Sequence, residues 1–88
     1  MTVQVVLPQA LVRLFPGAPR RTQVQARTVR DVMVALDARW PGMADRLVDS
    51  TPAIRRHILV FVGEDRATLD TPIPPGAEVW VSTAMSGG

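Results

Sequence analysis

The 88 residues suffice for one domain with a small hydrophobic core and are too few for a second domain. The chain contains no cysteine, which excludes disulfide scaffolds, thiolate zinc sites and cysteine nucleophiles. All ten basic residues are arginines scattered among eight acidic residues, so the formal charge of +2 and the lack of interleaved aromatic residues argue against nucleic-acid binding.

The first part of the chain predicts two strands joined as a hairpin. Residues 2–7 alternate Val3, Val5 and Leu7 with Thr2, Gln4 and Val6, which is the period of a half-buried strand, and Pro8 then removes a ladder donor. Residues 16–21 contain the proline and glycine of a turn. A second alternating strand is predicted over residues 22–26.

A capping box and an apolar stripe predict the main helix. Thr28 is followed three residues later by Asp31, an arrangement that satisfies the free amides of a helix start. Pro41 and Gly42 end this helix, and residues 43–48 predict a short second helix. The stripe recurs at helical spacing and comprises Val29, Val32, Met33, Leu36 and Trp40.

The second half of the chain predicts three further strands. Residues 56–62 are rich in isoleucine, valine and phenylalanine and predict a central strand, which residues 63–66 turn. Leu69 and Ile73 flank a predicted short edge segment. After a turn at residues 74–76, the alternation of Val79 and Val81 predicts a last strand over residues 78–82.

This order of elements, followed by Gly87 and Gly88, is similar to that of the β-grasp sulfur carriers. That family comprises the small subunit of molybdopterin synthase, the thiamine sulfur carrier and the carrier used in cysteine synthesis. The resemblance spans essentially the whole chain and is most characteristic over residues 57–88. It implies an α+β, ubiquitin-like β-grasp fold in which a mixed sheet of four to five strands packs on one main helix. The domain would cover residues 1–83, and residues 84–88 would form a flexible tail.

The resemblance also implies that the working group is the α-carboxylate of Gly88. In the family, an E1-like adenylating enzyme uses ATP to activate this carboxylate, and a sulfur donor enzyme then converts it to a thiocarboxylate. A biosynthetic enzyme accepts the sulfur. The protein would therefore be a substrate of enzymes rather than an enzyme, with no bound cofactor. Gly87 and Gly88 lack a Cβ, so they fit a narrow channel that leads to a partner's active site.

A docking face for these partners is predicted on the side of the sheet away from the helix. The inward alternation assigns the core to Val3, Val5, Ile58, Val60, Val62, Val79 and Val81. In the implied fold the last strand lies between the first and the long third strand, so the outward residues would form one exposed apolar patch beside the tail. A register error of one residue would instead bury them. The predicted partner-binding residues are Val6, Leu59, Phe61, Trp80, Ser82, Met85 and Ser86.

Other readings of these residues are weaker. His57 is the only histidine and lacks cysteine partners, so no metal site is predicted. Ser82 or Ser86 with His57 does not have the spacing of a nucleophile elbow. A ubiquitin-like modifier that acylates protein amines, and a plain β-grasp interaction module, remain alternatives. Ser82 and Thr83 replace the hydrophobic residue and proline that usually precede the tail in the family, which leaves the partner open.

The segment around residues 41–49 looks most like the cysteine-synthesis carrier and related carriers recruited for sulfur-containing natural products, with molybdopterin synthesis as the runner-up. The longest apolar run, residues 58–62, is far shorter than the roughly 20 residues that span a bilayer. The N-terminus also lacks the pattern of a secretory signal peptide. We therefore expect a cytoplasmic protein that is free of membranes and monomeric when unbound.

Overall fold

The computed structural model describes residues 1–84 and contains five strands and three helices there. The elements are β1 (Thr2–Val6), α1 (Gln9–Val12), β2 (Arg21–Gln25), α2 (Val29–Arg39), α3 (Met43–Leu47), β3 (Ile58–Val62), β4 (Asp65–Arg66) and β5 (Glu78–Thr83). The strands form one sheet in the order β2-β1-β5-β3-β4. β1 and β5 are parallel, and the other neighbouring pairs are antiparallel. The prediction of a mixed α+β sheet with the last strand between β1 and β3 is confirmed.

The register of the central strands decides which face carries the core. Val5 pairs with Val79 across β1 and β5, and Val60 pairs with Val81 across β3 and β5. These four side chains are buried on the face that α2 covers, as the alternation in the sequence predicts. α2 contributes four buried residues from its apolar stripe, and Trp40 packs against the same core while remaining partly exposed. Within residues 1–84, no helix has the length and apolar composition needed to cross a bilayer.

The start of α2 has the predicted capping box. The Asp31 amide donates to the Thr28 hydroxyl at 3.3 Å, and the Asp31 carboxylate accepts from the Thr28 amide at 3.2 Å. The same carboxylate also accepts from the Arg27 amide at 3.0 Å. These backbone hydrogen bonds, led by that from Arg27, hold the pKa of Asp31 below its usual 3.8. Asp31 therefore stabilises the folded state more strongly when it is ionised.

This lowered pKa predicts how the stability of the protein depends on pH. Because the folded pKa lies below the unfolded value of 3.8, the contribution of Asp31 is present above that pH and is lost as pH falls through the folded pKa. We expect an Asp31→Asn variant to melt below the native protein at neutral pH, and the gap to narrow as the pH falls below 3.8. Thermal unfolding followed by circular dichroism measures this gap.

The control is Asp31→Ala, which also removes the hydrogen-bond acceptor and should remain destabilised at both ends of the pH range. A gap between the native protein and Asp31→Asn that stays constant down to acid pH would contradict the assignment.

Two elements differ from the sequence-based prediction. α1 was not predicted, because four residues are too few to show a helical period; it forms as Leu11 enters the core and the Pro8 carbonyl accepts the amides of Leu11 and Val12. The edge strand was placed near residues 69–73 but lies at residues 65–66. Gly63 adopts a φ of 60°, so a two-residue loop reverses the chain and β4 pairs with β3 immediately.

Candidate functional site

The face of the sheet opposite α2 carries a row of cross-strand neighbours centred on Trp80. Trp80 of β5 pairs with Val6 of β1 on one side and with Phe61 of β3 on the other. Arg21 of β2 pairs with Val6 and lengthens the row towards the sheet edge. Leu59 pairs with Ser82 one step nearer the end of β5. The register thus brings the predicted docking residues on β1, β3 and β5 onto one face.

Trp80 is held in place by two charged neighbours on this face. Its indole Nε1 donates to Glu78 Oε1 at 3.0 Å. The Arg21 guanidinium lies over the indole ring, 5.6 Å from the ring centroid, and Arg21 Nη1 is 3.8 Å from Glu78 Oε2. A cation over an exposed indole contributes about 0.5–1 kcal/mol. The three side chains therefore form one cluster that orients the indole, while 38 % of Trp80 stays exposed.

Val6 differs from the prediction of an exposed apolar patch. It faces away from α2 as predicted, yet only 4 % of it is exposed. Arg21 and Trp80 stand on the strands at either side of β1, and the arginine reaches across Val6 to the indole. Leu59 and Phe61 are half-buried. The prediction of exposure was thus wrong for Val6, and Trp80 is the docking candidate with the largest accessible apolar surface on this face.

The end of β5 directs the chain out of the sheet beside Trp80. The strand runs to Thr83, and the Ala84 amide still donates to the His57 carbonyl at 2.7 Å. A groove of about 250 Å³ borders this exit and is lined by residues that include Pro8, Arg20, Trp80 and Ser82. The remaining predicted site residues, Met85, Ser86, Gly87 and Gly88, lie outside the described residues. Their roles stay predictions.

No protein-family model matches the sequence, and no curated protein sequence matches it. Solved structures do share its architecture. The chain superposes on a chain of the Amycolatopsis orientalis BexX/CysO complex with a TM-score of 0.85 at 23 % identity, over 98 % of this chain and 99 % of that one. The superposition on Mycobacterium tuberculosis CysO has a TM-score of 0.82 at 24 % identity and covers 94 % of this chain and 99 % of that one. The superposition on Haloferax volcanii SAMP1 has a TM-score of 0.81 at 23 % identity and covers the whole of both chains.

The chain has the ubiquitin-like β-grasp fold. Within this β-grasp domain the Trp80 face is the side of the sheet that α2 leaves uncovered. Identities of 23–24 % over nearly complete chains mean that the fold is shared while most side chains differ.

Two aspartates of the β-grasp domain, Asp37 and Asp49, stabilise loops through hydrogen bonds to backbone amides. Asp37 accepts the amides of Gly42 and Ala44 at 3.0 and 3.1 Å and so holds the start of α3. The Asp49 carboxylate accepts the Thr51 hydroxyl and the amides of Thr51 and Ala53, and these hydrogen bonds, led by that from the hydroxyl, lower its pKa. Among residues 1–84, no three histidine or acidic side chains come together as a metal site.

Arg21 and Glu78 belong to the candidate site but were not predicted from the sequence. Both occupy outward positions on predicted strands or at their ends, and the outward alternation was the signal that could have found them. Arg21 was placed in the turn before β2, whereas the structure makes it the first residue of that strand.

Proposed function

We propose that this protein is a ubiquitin-like sulfur carrier and that its reactive group is the α-carboxylate of Gly88. The observation that carries the proposal is the combination of a complete β-grasp domain with Gly87 and Gly88 placed a few residues after β5. Similarity of fold to CysO and SAMP1 over at least 94 % of the chain supports it. The protein acts as a substrate for its partners, in the cytoplasm, and binds no cofactor of its own.

The proposed chemistry has three steps. A carboxylate is a poor electrophile, so an E1-like adenylating enzyme first joins Gly88 to the AMP of ATP and releases pyrophosphate. A sulfur donor enzyme then supplies sulfur at the oxidation level of hydrosulfide, which attacks the adenylate carbonyl, displaces AMP and leaves Gly88 as a thiocarboxylate. The thiocarboxylate sulfur finally displaces a leaving group from the substrate of an acceptor enzyme and forms a thioester. Water then cleaves the acyl–sulfur bond, which returns the Gly88 carboxylate and leaves the sulfur on the product as a thiol.

The geometry at the end of β5 suits delivery of this group. Four residues follow Ala84, whose amide makes the last described ladder hydrogen bond. At about 3.3–3.6 Å per residue, a fully extended segment of this length reaches roughly 14 Å. Trp80 lies on the same strand four residues before Ala84. A partner that grips the Trp80 face can therefore receive Gly88 in a site at that depth.

Within the carriers, we propose delivery to the synthesis of cysteine or of another sulfur-containing metabolite. The two CysO structures support this branch, as does the α3 segment at residues 43–47. Delivery to molybdopterin synthesis is the runner-up. In either branch the free protein is monomeric and meets its partners in succession.

A second candidate function is protein modification through the same terminus. The similarity to small archaeal modifier protein 1 from Haloferax volcanii, with a TM-score of 0.78, favours it. In that function, activated Gly88 would acylate the amine of another protein. The 88 residues contain no lysine, so side-chain amines of this chain could not receive a second copy.

The test is intact mass spectrometry after incubation with ATP, a cognate activating enzyme and a sulfur donor. The native chain should gain the mass difference between sulfur and oxygen, whereas a variant with one alanine added after Gly88 should not, because the extra residue displaces the carboxylate from the activating site. A native chain that stays unchanged with a proven activating enzyme would overturn the proposal. Covalent adducts on other proteins, without thiocarboxylate, would instead favour the modifier. The mass of the protein from its native host establishes whether Gly88 is C-terminal there.

A further inference from the structure

A second surface, at the sheet edge formed by β4, gathers arginines from distant parts of the sequence. A cleft of about 350 Å³ lies between the loop that precedes β3 and the segment that begins at β4. Arg30 from α2, Arg55 and Arg56 from the loop, and Arg66 from β4 all line it. Four arginines against one aspartate, Asp70, give this lining a formal charge of +3. The whole chain carries only +2, so the excess positive charge of the molecule is concentrated here.

The arginines of this cleft differ in whether their guanidinium groups already have a hydrogen-bonding partner. Arg30 Nη2 pairs with Asp70 Oδ1 at 2.8 Å. Arg55 donates from Nε to the Asp45 carbonyl at 2.8 Å, a bond that leaves its two terminal nitrogens for other acceptors. Among residues 1–84, Arg56 and Arg66 form no ion pair, and both are exposed. The cleft therefore presents fork-shaped donors without an acidic partner of their own, which suit carboxylates or phosphates.

The apolar lining of the cleft and the hollow beside it indicate which kind of ligand would fit. The lining includes Pro52, Ala53 and Ile54, which are exposed or half-buried, so accessible apolar groups lie beside the arginines. A neighbouring hollow of about 390 Å³ shares Arg55 and adds Arg46, His57 and Asp45, so two arginines outnumber one acidic side chain there as well. The basic surface thus continues from one hollow into the next, which fits an extended chain better than a compact ligand. Among residues 1–84, the lining of the 350 Å³ cleft includes no aromatic side chain on which a nucleotide base could stack, and the lining of the neighbouring hollow includes only the imidazole of His57.

We propose that this basic cleft, made by Arg30, Arg55, Arg56 and Arg66, binds an acidic segment of a partner protein in extended conformation. Carboxylates of the segment pair with Arg55, Arg56 and Arg66, while Arg30 stays paired with Asp70. The alternate apolar side chains of the segment contact the apolar lining near Ile54. The cleft lies at the sheet edge, apart from the Trp80 cluster on the open face. The binding requires no activation of Gly88 and stands independently of the proposed function.

The test uses a fluorescently labelled peptide of eight residues in which glutamate alternates with valine. The native protein should bind it with a Kd below about 1 mM in low-salt buffer, and fluorescence anisotropy measures this. The double variant Arg56→Gln with Arg66→Gln should bind about tenfold more weakly. The control double variant, Arg13→Gln with Arg27→Gln, changes the net charge equally at exposed arginines outside both hollows and should bind as the native protein does.

Further measurements distinguish an acidic peptide from a phosphate ligand and from unspecific charge attraction. A peptide with glutamine in place of glutamate should not bind, and inorganic tripolyphosphate should compete only weakly. The single variant Arg56→Glu, whose melting temperature confirms that it is folded, should weaken peptide binding in the same direction. Equal weakening by both double variants would show unspecific charge attraction and overturn the proposal. Tripolyphosphate binding tighter than the acidic peptide, or no peptide binding to the native protein, would overturn it as well.

Discussion

A Gly87→Val variant is expected to form thiocarboxylate at least about 100-fold more slowly than the native chain, measured as kcat/KM with the activating enzyme. In the proposed function the last two residues enter a narrow channel, and a β-branched side chain widens the chain next to the reacting carboxylate. Valine also loses the backbone conformations that only glycine adopts readily. The rate of pyrophosphate release, which accompanies adenylate formation, measures this loss of activation directly.

The matched control for this variant is Ser86→Val, which adds the same side chain one residue farther from the carboxylate. We expect it to lose less than about tenfold, since the reacting group itself is unobstructed. Melting temperatures equal to that of the native protein establish that both variants are folded. Activation of Gly87→Val at the native rate would contradict the role assigned to the terminal glycines.

A Trp80→Ala variant is expected to raise the KM of the activating enzyme for this protein by about 30-fold, with a smaller change in kcat. Trp80 offers a large accessible apolar surface beside the exit of β5, and Arg21 and Glu78 already orient its ring. An anchor that is ordered before binding loses little conformational entropy on docking. Steady-state kinetics of pyrophosphate release separate KM from kcat.

Two further variants sharpen this prediction. Val34→Ala removes an apolar side chain that is 66 % exposed on α2, away from the proposed docking face, and should leave KM unchanged. Glu78→Gln keeps an oxygen for the indole Nε1 but removes the charge that faces Arg21, so it should raise KM by only about threefold. If Trp80→Ala retains the native KM and remains folded, the activating enzyme docks elsewhere.

Most of the fold could be predicted because its determinants are local. The capping box at Thr28 and Asp31, the apolar stripe of α2 and the alternation in β3 and β5 are each read within a few residues. α1 and β4 were missed or misplaced because each is very short and depends on a distant partner: α1 on the burial of Leu11, and β4 on the two-residue loop at Gly63.

The candidate site could be predicted in part. Alternation placed Val6, Leu59, Phe61 and Trp80 on the correct face, since the side-chain period of a strand is a local property. The exposure of Val6 could not be read in this way. It depends on Arg21, which is fifteen positions away in the sequence but adjacent in the sheet, and whose guanidinium crosses β1 to reach Trp80.

The sequence by itself determined the order of the main elements, the inward core positions and the placement of Gly87 and Gly88 after the last strand, because these follow from composition and local periodicity. Only the tertiary structure decided which outward side chains remain accessible and which charges meet. The pairing of β2 and β5 with the two sides of β1 brings Arg21 close to Trp80, and the folding of the chain brings Arg30, Arg56 and Arg66 around one cleft. Such contacts join residues far apart in the sequence, and no local pattern encodes them.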